Sequence, residues 1–109
     1  MTNAFRSKTA VAIGVAPVTV YTAGAGVTAL IIGLVVANQT VNNVKLTAKF
    51  YKSGGSTATF LPTVVISPGN PLTPVEVAGK IILETGDYIT FQSDTAASID
   101  AVLSLLEIT

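Results

Sequence analysis

Val44-Lys45-Leu46-Thr47-Ala48-Lys49-Phe50-Tyr51 alternates without a break. In an extended chain Val44, Leu46, Ala48 and Phe50 share one face and Lys45, Thr47 and Lys49 the other, as in a strand with one side in a core and one in water. Ser53-Gly54-Gly55-Ser56 follows, a turn whose glycines reach positive φ freely, and beyond it Ala58, Phe60, Val64 and Ile66 share a face of a second strand. The two segments read as a β-hairpin. Pro62 lies inside the second strand and has no N–H to give to a ladder, which places that strand at a sheet edge or at a bulge.

Working outward, similar segments recur on both sides. Upstream are Thr9 to Val15, Val18 to Tyr21 and Val27 to Ala37; downstream are Val75 to Val77, Lys80 to Leu83, Tyr88 to Ser93 and Ile99 to Ile108. A proline-rich loop, Ser67 to Pro74, and a turn at Glu84-Thr85-Gly86-Asp87 separate them. Ile99 to Ile108 also fits helical spacing through Ile99, Val102, Leu103 and Leu106, with Asp94 or Ser98 as N-cap; a strand suits the rest of the pattern better. Val27 to Ala37 is apolar on both faces, Leu30, Ile32, Leu34 and Val36 opposing Ala29, Ile31, Val35 and Ala37, which predicts a central or an interface strand. The expectation is all-β: a single jelly-roll-like β-sandwich of about eight short antiparallel strands over residues 9–109, preceded by a flexible polar arm over residues 1–8. Leu46, Phe50, Phe60, Ile89 and Phe91 are expected in one core between two sheets.

Composition agrees and limits the function. The 109 residues are 50% apolar and only 11% charged, against about 25% charged in a usual soluble domain, so a large share of the surface is uncharged or covered by a partner. The charges are sorted by sign: Arg6, Lys8, Lys45, Lys49 and Lys52 stand before Glu76 without an acid, while Glu76, Glu84, Asp87, Asp94, Asp100 and Glu107 follow with Lys80 alone. A neutral chain with oppositely charged halves is suited to association with copies of itself.

Chemistry has few residues to use. Histidine and cysteine are absent, which removes the commonest general base and metal ligand, the thiol nucleophile and any structural zinc. Glu84 with Asp87, and Asp94 with Asp100, lack the ligand-dense loop of a calcium site and read as solvated turn residues. Gly24-Ala25-Gly26 and Gly54-Gly55 lead into no helix and carry no Lys-Ser/Thr, so they are turn glycines, not phosphate cradles. Lys45, Lys49 and Lys52 are too few, and Phe50 too differently directed, for a track that binds single-stranded nucleic acid. Val18 to Ala37 has the length of a membrane span, but Tyr21, Thr22 and Thr28 interrupt it and Gly24, Gly26 and Gly33 weaken a helix. Arg6 and Lys8 before the apolar run from Ala10 to Val20 imitate a signal peptide; Pro17 and the β-branched character of the run argue against one. The expectation is no catalytic residue, cofactor, metal, small-molecule substrate, nucleic acid or membrane.

Tyr21-Thr22-Ala23-Gly24-Ala25-Gly26-Val27-Thr28-Ala29, Val35-Val36-Ala37-Asn38, Gly79-Lys80-Ile81-Ile82-Leu83-Glu84-Thr85-Gly86-Asp87 and Leu103-Ser104-Leu105-Leu106-Glu107-Ile108 together resemble small virion structural proteins of tailed bacteriophages. The similarity runs from about Val18 to the C-terminus. It implies a non-enzymatic β-sandwich virion component assembled in the host cytoplasm: a capsid decoration or cement subunit, or alternatively a tail, neck or baseplate accessory protein. A carbohydrate-binding sandwich module is the reading from another class, and it needs aromatics exposed on one face. Implied partners are copies of the chain, as in a trimer, and virion proteins such as the major capsid protein. The candidate interface residues are Arg6, Lys8, Leu30, Ile32, Lys45, Lys49 and Leu105.

Overall fold

The computed structural model describes residues 3–69 and 81–109; the expected strand Val75 to Val77 and the loop from Asn70 to Pro74 lie outside them. Eight strands run through the described residues: β1 (Asn3–Ile13), β2 (Val18–Thr22), β3 (Thr28–Asn38), β4 (Val44–Tyr51), β5 (Thr57–Ile66), β6 (Ile81–Leu83), β7 (Tyr88–Ser93) and β8 (Ile99–Ile108). They form two four-stranded sheets, A in the order β1-β8-β3-β6 and B in the order β2-β7-β4-β5. Every paired neighbour is antiparallel. This interleaved order is that of an eight-stranded jelly roll, in which β4 and β5 alone are sequential neighbours in one sheet. No helix among the described residues is long and apolar enough to cross a membrane; Val18 to Ala37 is instead β2, a turn and most of β3.

The β4–β5 hairpin forms as its alternation requires. Val44, Leu46 and Ala48 are buried, and Phe91 and Ile89 of β7 stand opposite Ala48 and Phe50. Leu46, Ile89 and Phe91 belong to one core between the sheets, with Phe50 and Phe60 packed against it. Pro62 lies in β5 at the edge of sheet B, where Thr63 takes a φ of 55° and the register with β4 slips. Both irregularities match a proline that withholds a ladder bond. In the β6–β7 turn, Gly86 has a φ of 87°, and a Cβ there would lie 2.7 Å from the Ser53 hydroxyl, so glycine alone fits.

β8 settles the strand-or-helix question by its burial. Ile99, Ala101, Leu103 and Leu105 are buried while Val102 and Ser104 are exposed, a period of two. A helix through Ile99, Val102 and Leu106 would have turned Val102 inward.

Two expectations need correction. β3 is not divided into the faces that strict alternation gives: its buried residues are Ala29, Ile31, Leu34 and Val36. A bulge between Ile31 and Gly33 inserts Ile32 as an extra residue against β8, and the inward parity changes there. The strand therefore has one core face and one outer face. Nor are residues 3–8 a separate arm. They run in β1, with Asn3 to Ala10 set against Ile108 to Ala101 of β8 in unbroken register. Backbone pairing orders this segment although its side chains bury almost nothing, a kind of strand that hydrophobic patterning does not report.

Candidate assembly edge

Among the described residues β1 is the outermost strand of sheet A, bonded to β8 on one side and to no strand on the other. Ala10 and Ile13 are its only core residues. From Asn3 to Thr9 the strand is regular and lacks buried residues. Beyond Ala10 the register breaks, Ala12 adopts a φ of 53°, and its N–H donates to Asp100 Oδ1 at 2.9 Å. The bulge bends the strand away from the sheet, so the open edge is the seven residues before it.

The other edges are shorter or interrupted. β2 has five residues and β6 three; β5 has ten but carries Pro62 and the distortion at Thr63. Shortness, proline and distortion limit how much of an edge can pair with another chain, and the Asn3–Thr9 edge has only the charges of Arg6 and Lys8 against it.

A cluster at the flank of the sandwich holds this segment down. Arg6 Nε lies 3.2 Å from Glu107 Oε1, and the Tyr21 hydroxyl donates to Glu107 Oε2 at 2.6 Å. The carboxylate thus joins β1 and β8 of sheet A to β2 of sheet B. Burial, followed by the hydrogen bond to Glu107, raises the Tyr21 phenol well above its ordinary range. The Tyr21 hydrogen bond, with Arg6 adding to it against the cost of burial, holds Glu107 below the usual carboxylate range.

The interface residues expected from sequence do not lie on one surface. Arg6 and Lys8 are exposed on β1, Leu30 is on the outer face of sheet A, and Ile32 is the bulge residue of β3. Lys45 and Lys49 are on the outer face of sheet B, with Lys49 half-buried between Thr59 and Thr90. Leu105 has no exposure at all: it faces Ile31 in the core and contributes nothing to an outer surface. Among residues not singled out from sequence, Phe5 is 77% exposed. Its signal was present as the lone aromatic in a polar segment.

The acids of the turns are structural. Asp87, expected to be solvated, is buried and accepts hydrogen bonds from the backbone of Ser53 and Glu84 and from Lys52. Asp94 accepts the Lys45 N–H, and Asp100 accepts from Ala12 and Gln39. No group of three or more Asp, Glu, His or Cys among the described residues is placed to hold a metal. Tyr51 and Tyr88 stack on each other with ring centroids 4.6 Å apart.

No family model matches the chain, and no curated protein does. In fold it is similar to a solved chain of the Bacillus endospore appendages, described as a novel family of disulfide-linked pili. The TM-score is 0.59 at 14% identity, over 99% of this chain and 87% of that one. A likeness at this identity is one of fold. It nonetheless corrects the functional expectation: the match is to a bacterial endospore pilus and not to a virion protein. The decoration or cement role, the tail alternative and the capsid-protein partner have no support and are set aside.

Proposed function

We propose that this chain is a non-enzymatic structural subunit that polymerises with copies of itself through the open edge of β1. The observation that carries the reading is the regular, solvent-facing edge from Asn3 to Thr9, whose unpaired N–H and C=O groups are a template for another strand. Likeness of fold to a pilus protein is consistent with it. That protein is described as disulfide-linked, whereas this sequence contains no cysteine. Contacts between copies here therefore use no disulfide and are made by backbone pairing and side-chain packing.

Charge indicates which partner strand the edge takes. Two β1 edges paired about a two-fold axis would bring Arg6 and Lys8 of both copies onto one side, and like charges across strands are destabilising. The edges β2, β5 and β6 carry no charge. Pairing of β1 with one of these is heterologous, and a heterologous contact that does not close generates a filament.

The test uses Ser7→Pro and Lys8→Pro. Adjacent residues of a strand point their N–H groups to opposite sides, so one of the two prolines removes a donor from the open edge and the other from the β8 ladder. Electron microscopy and light scattering of the wild-type chain should show filaments that lengthen with concentration. The open-edge variant should remain folded and monomeric. A wild-type chain that stays monomeric, or filaments unaffected by both prolines, overturns the reading.

A further inference from the structure

Sheet A turns a largely apolar face to solvent, whose one charge among the described strands, Asp100, lies beyond the Thr9 row and accepts from Ala12 and Gln39. The strand registers align Phe5, Leu106, Leu30 and Ile82 in one row across all four strands. The next row is Ser7, Ser104 and Gly33, and the one after it Thr9, Val102 and Val35. Four of the nine large apolar residues exposed among the described residues are on this face: Phe5, Val35, Ile82 and Val102. The outer face of sheet B presents Lys45, Thr47, Lys49, Thr59 and Gln92 instead. The sandwich is two-sided, and a contiguous apolar face of this kind marks a contact surface.

We infer that the outer face of sheet A is a second self-association surface, occupied by the same face of another copy. A two-fold axis along the rows, between the bulky row and the small one, sets Leu106 over Ser104, Leu30 over Gly33 and Phe5 over Ser7 of the other copy. Ridges then enter grooves in both directions. Its one charge, Asp100, lies beyond the Thr9 row on one side of this axis, so the two copies' Asp100 stand at opposite ends of the contact and do not oppose each other. Sheets stacked face to face lie about 10 Å apart with their strands nearly aligned, the geometry that this pairing produces.

The area determines how the contact acts. Four strands at about 4.8 Å spacing and seven residues at about 3.4 Å give at most roughly 450 Å² per copy. A stable interface takes about 800 Å² per partner. Free subunits therefore pair weakly through this face, and lateral pairing becomes firm only where the contact repeats along an assembly, through avidity. That last step rests on the polymer reading; the contact between faces does not.

Nuclear magnetic resonance of the isotope-labelled chain at rising concentration tests the contact, using the edge-blocked proline variant if the wild type forms filaments. Shifts should concentrate at Phe5, Ser7, Leu30, Gly33, Ser104 and Leu106 with a dissociation constant of about 1 mM. Val102→Lys and Leu106→Lys, both on the outer face, should each weaken the association tenfold or more. In filaments the same substitutions should convert paired strands to single ones of half the mass per length. Absence of shifts on this face at millimolar concentration, or shifts that persist in both lysine variants, overturns the inference. Filaments that form but remain single refute only the lateral pairing, while face shifts without filaments refute only the polymer.

Discussion

The Nζ of Lys52, just past the end of β4, lies 2.8 Å from Oδ2 of Asp87, just before β7, and so pins the β4–β5 hairpin turn to the β6–β7 turn that crosses between the sheets. Asp87 is 1% exposed and also accepts the N–H groups of Ser53 and Glu84 at 2.8 and 2.9 Å. Asp87→Ala leaves both backbone donors without their acceptor, and unfolding in urea should show a loss of roughly 2–4 kcal/mol.

The same contact makes stability depend on acid. Burial alone would raise the pKa of Asp87, but the Lys52 and backbone hydrogen bonds outweigh it and hold the carboxyl below its ordinary value. A group depressed in the folded state contributes stability above its unfolded pKa of about 3.9 and loses it as pH falls through the folded value. Stability should thus be flat near neutrality and fall below about pH 4. Lys52→Met removes the cation but leaves the buried carboxyl, so its acid transition should begin at higher pH. Circular dichroism against pH for both chains measures this.

Phe91 is completely buried at the centre of the core, whereas Val102 is 46% exposed on the outer face of sheet A. Phe91→Ala should cost about 3–5 kcal/mol. Val102→Ala should stay within about 0.5 kcal/mol. Equal effects in denaturant titrations would contradict this assignment of faces.

Glu107 gathers Arg6 and Tyr21 at the base of the β1 edge. Because Asn3 to Thr9 give the core nothing, Glu107→Gln should loosen that segment while leaving global unfolding nearly unchanged. Amide hydrogen exchange should rise at residues 3–9 relative to β3 and β4. Tyr21→Phe should act in the same direction, to a smaller extent.

Salt separates the apolar and electrostatic views of assembly. Lys45 and Lys49 are on the outer face of sheet B, away from the β1 edge and from the apolar face of sheet A. Assemblies should therefore persist in about 1 M salt, where screening acts within about 3 Å. Lys45→Glu combined with Lys49→Glu should leave filament length unaltered. Dissolution by salt would return those lysines to the interface.

The features legible in sequence were those that bury side chains with a regular period. β4, β5 and β7 alternate, so their faces and the core around Leu46, Ile89 and Phe91 could be read directly. β3 could not, because one inserted residue at Ile32 changes parity; Gly33 beside it was the available sign of a bulge. β1 carried no pattern, since a strand held only by backbone pairing leaves no hydrophobic trace. Leu105 was misplaced because Leu103, Leu105 and Leu106 look alike in sequence, and only the partner Ile31 assigns Leu105 to the core. The apolar face of sheet A required knowing which rows the registers align.

β8 lies between β1 and β3 in sheet A, yet it follows every other described strand along the chain. During synthesis β1 leaves the ribosome about 85 residues ahead of the strand it pairs with, the kind of long-range closure that makes folding slow. Until then neither the ladder that holds Asn3 to Thr9 straight nor the Glu107 cluster beneath it exists. In the assembly we propose, the edge offered to the next copy is therefore completed only once β8 has been made, and a nascent or truncated chain lacking β8 has nothing in the right shape to offer.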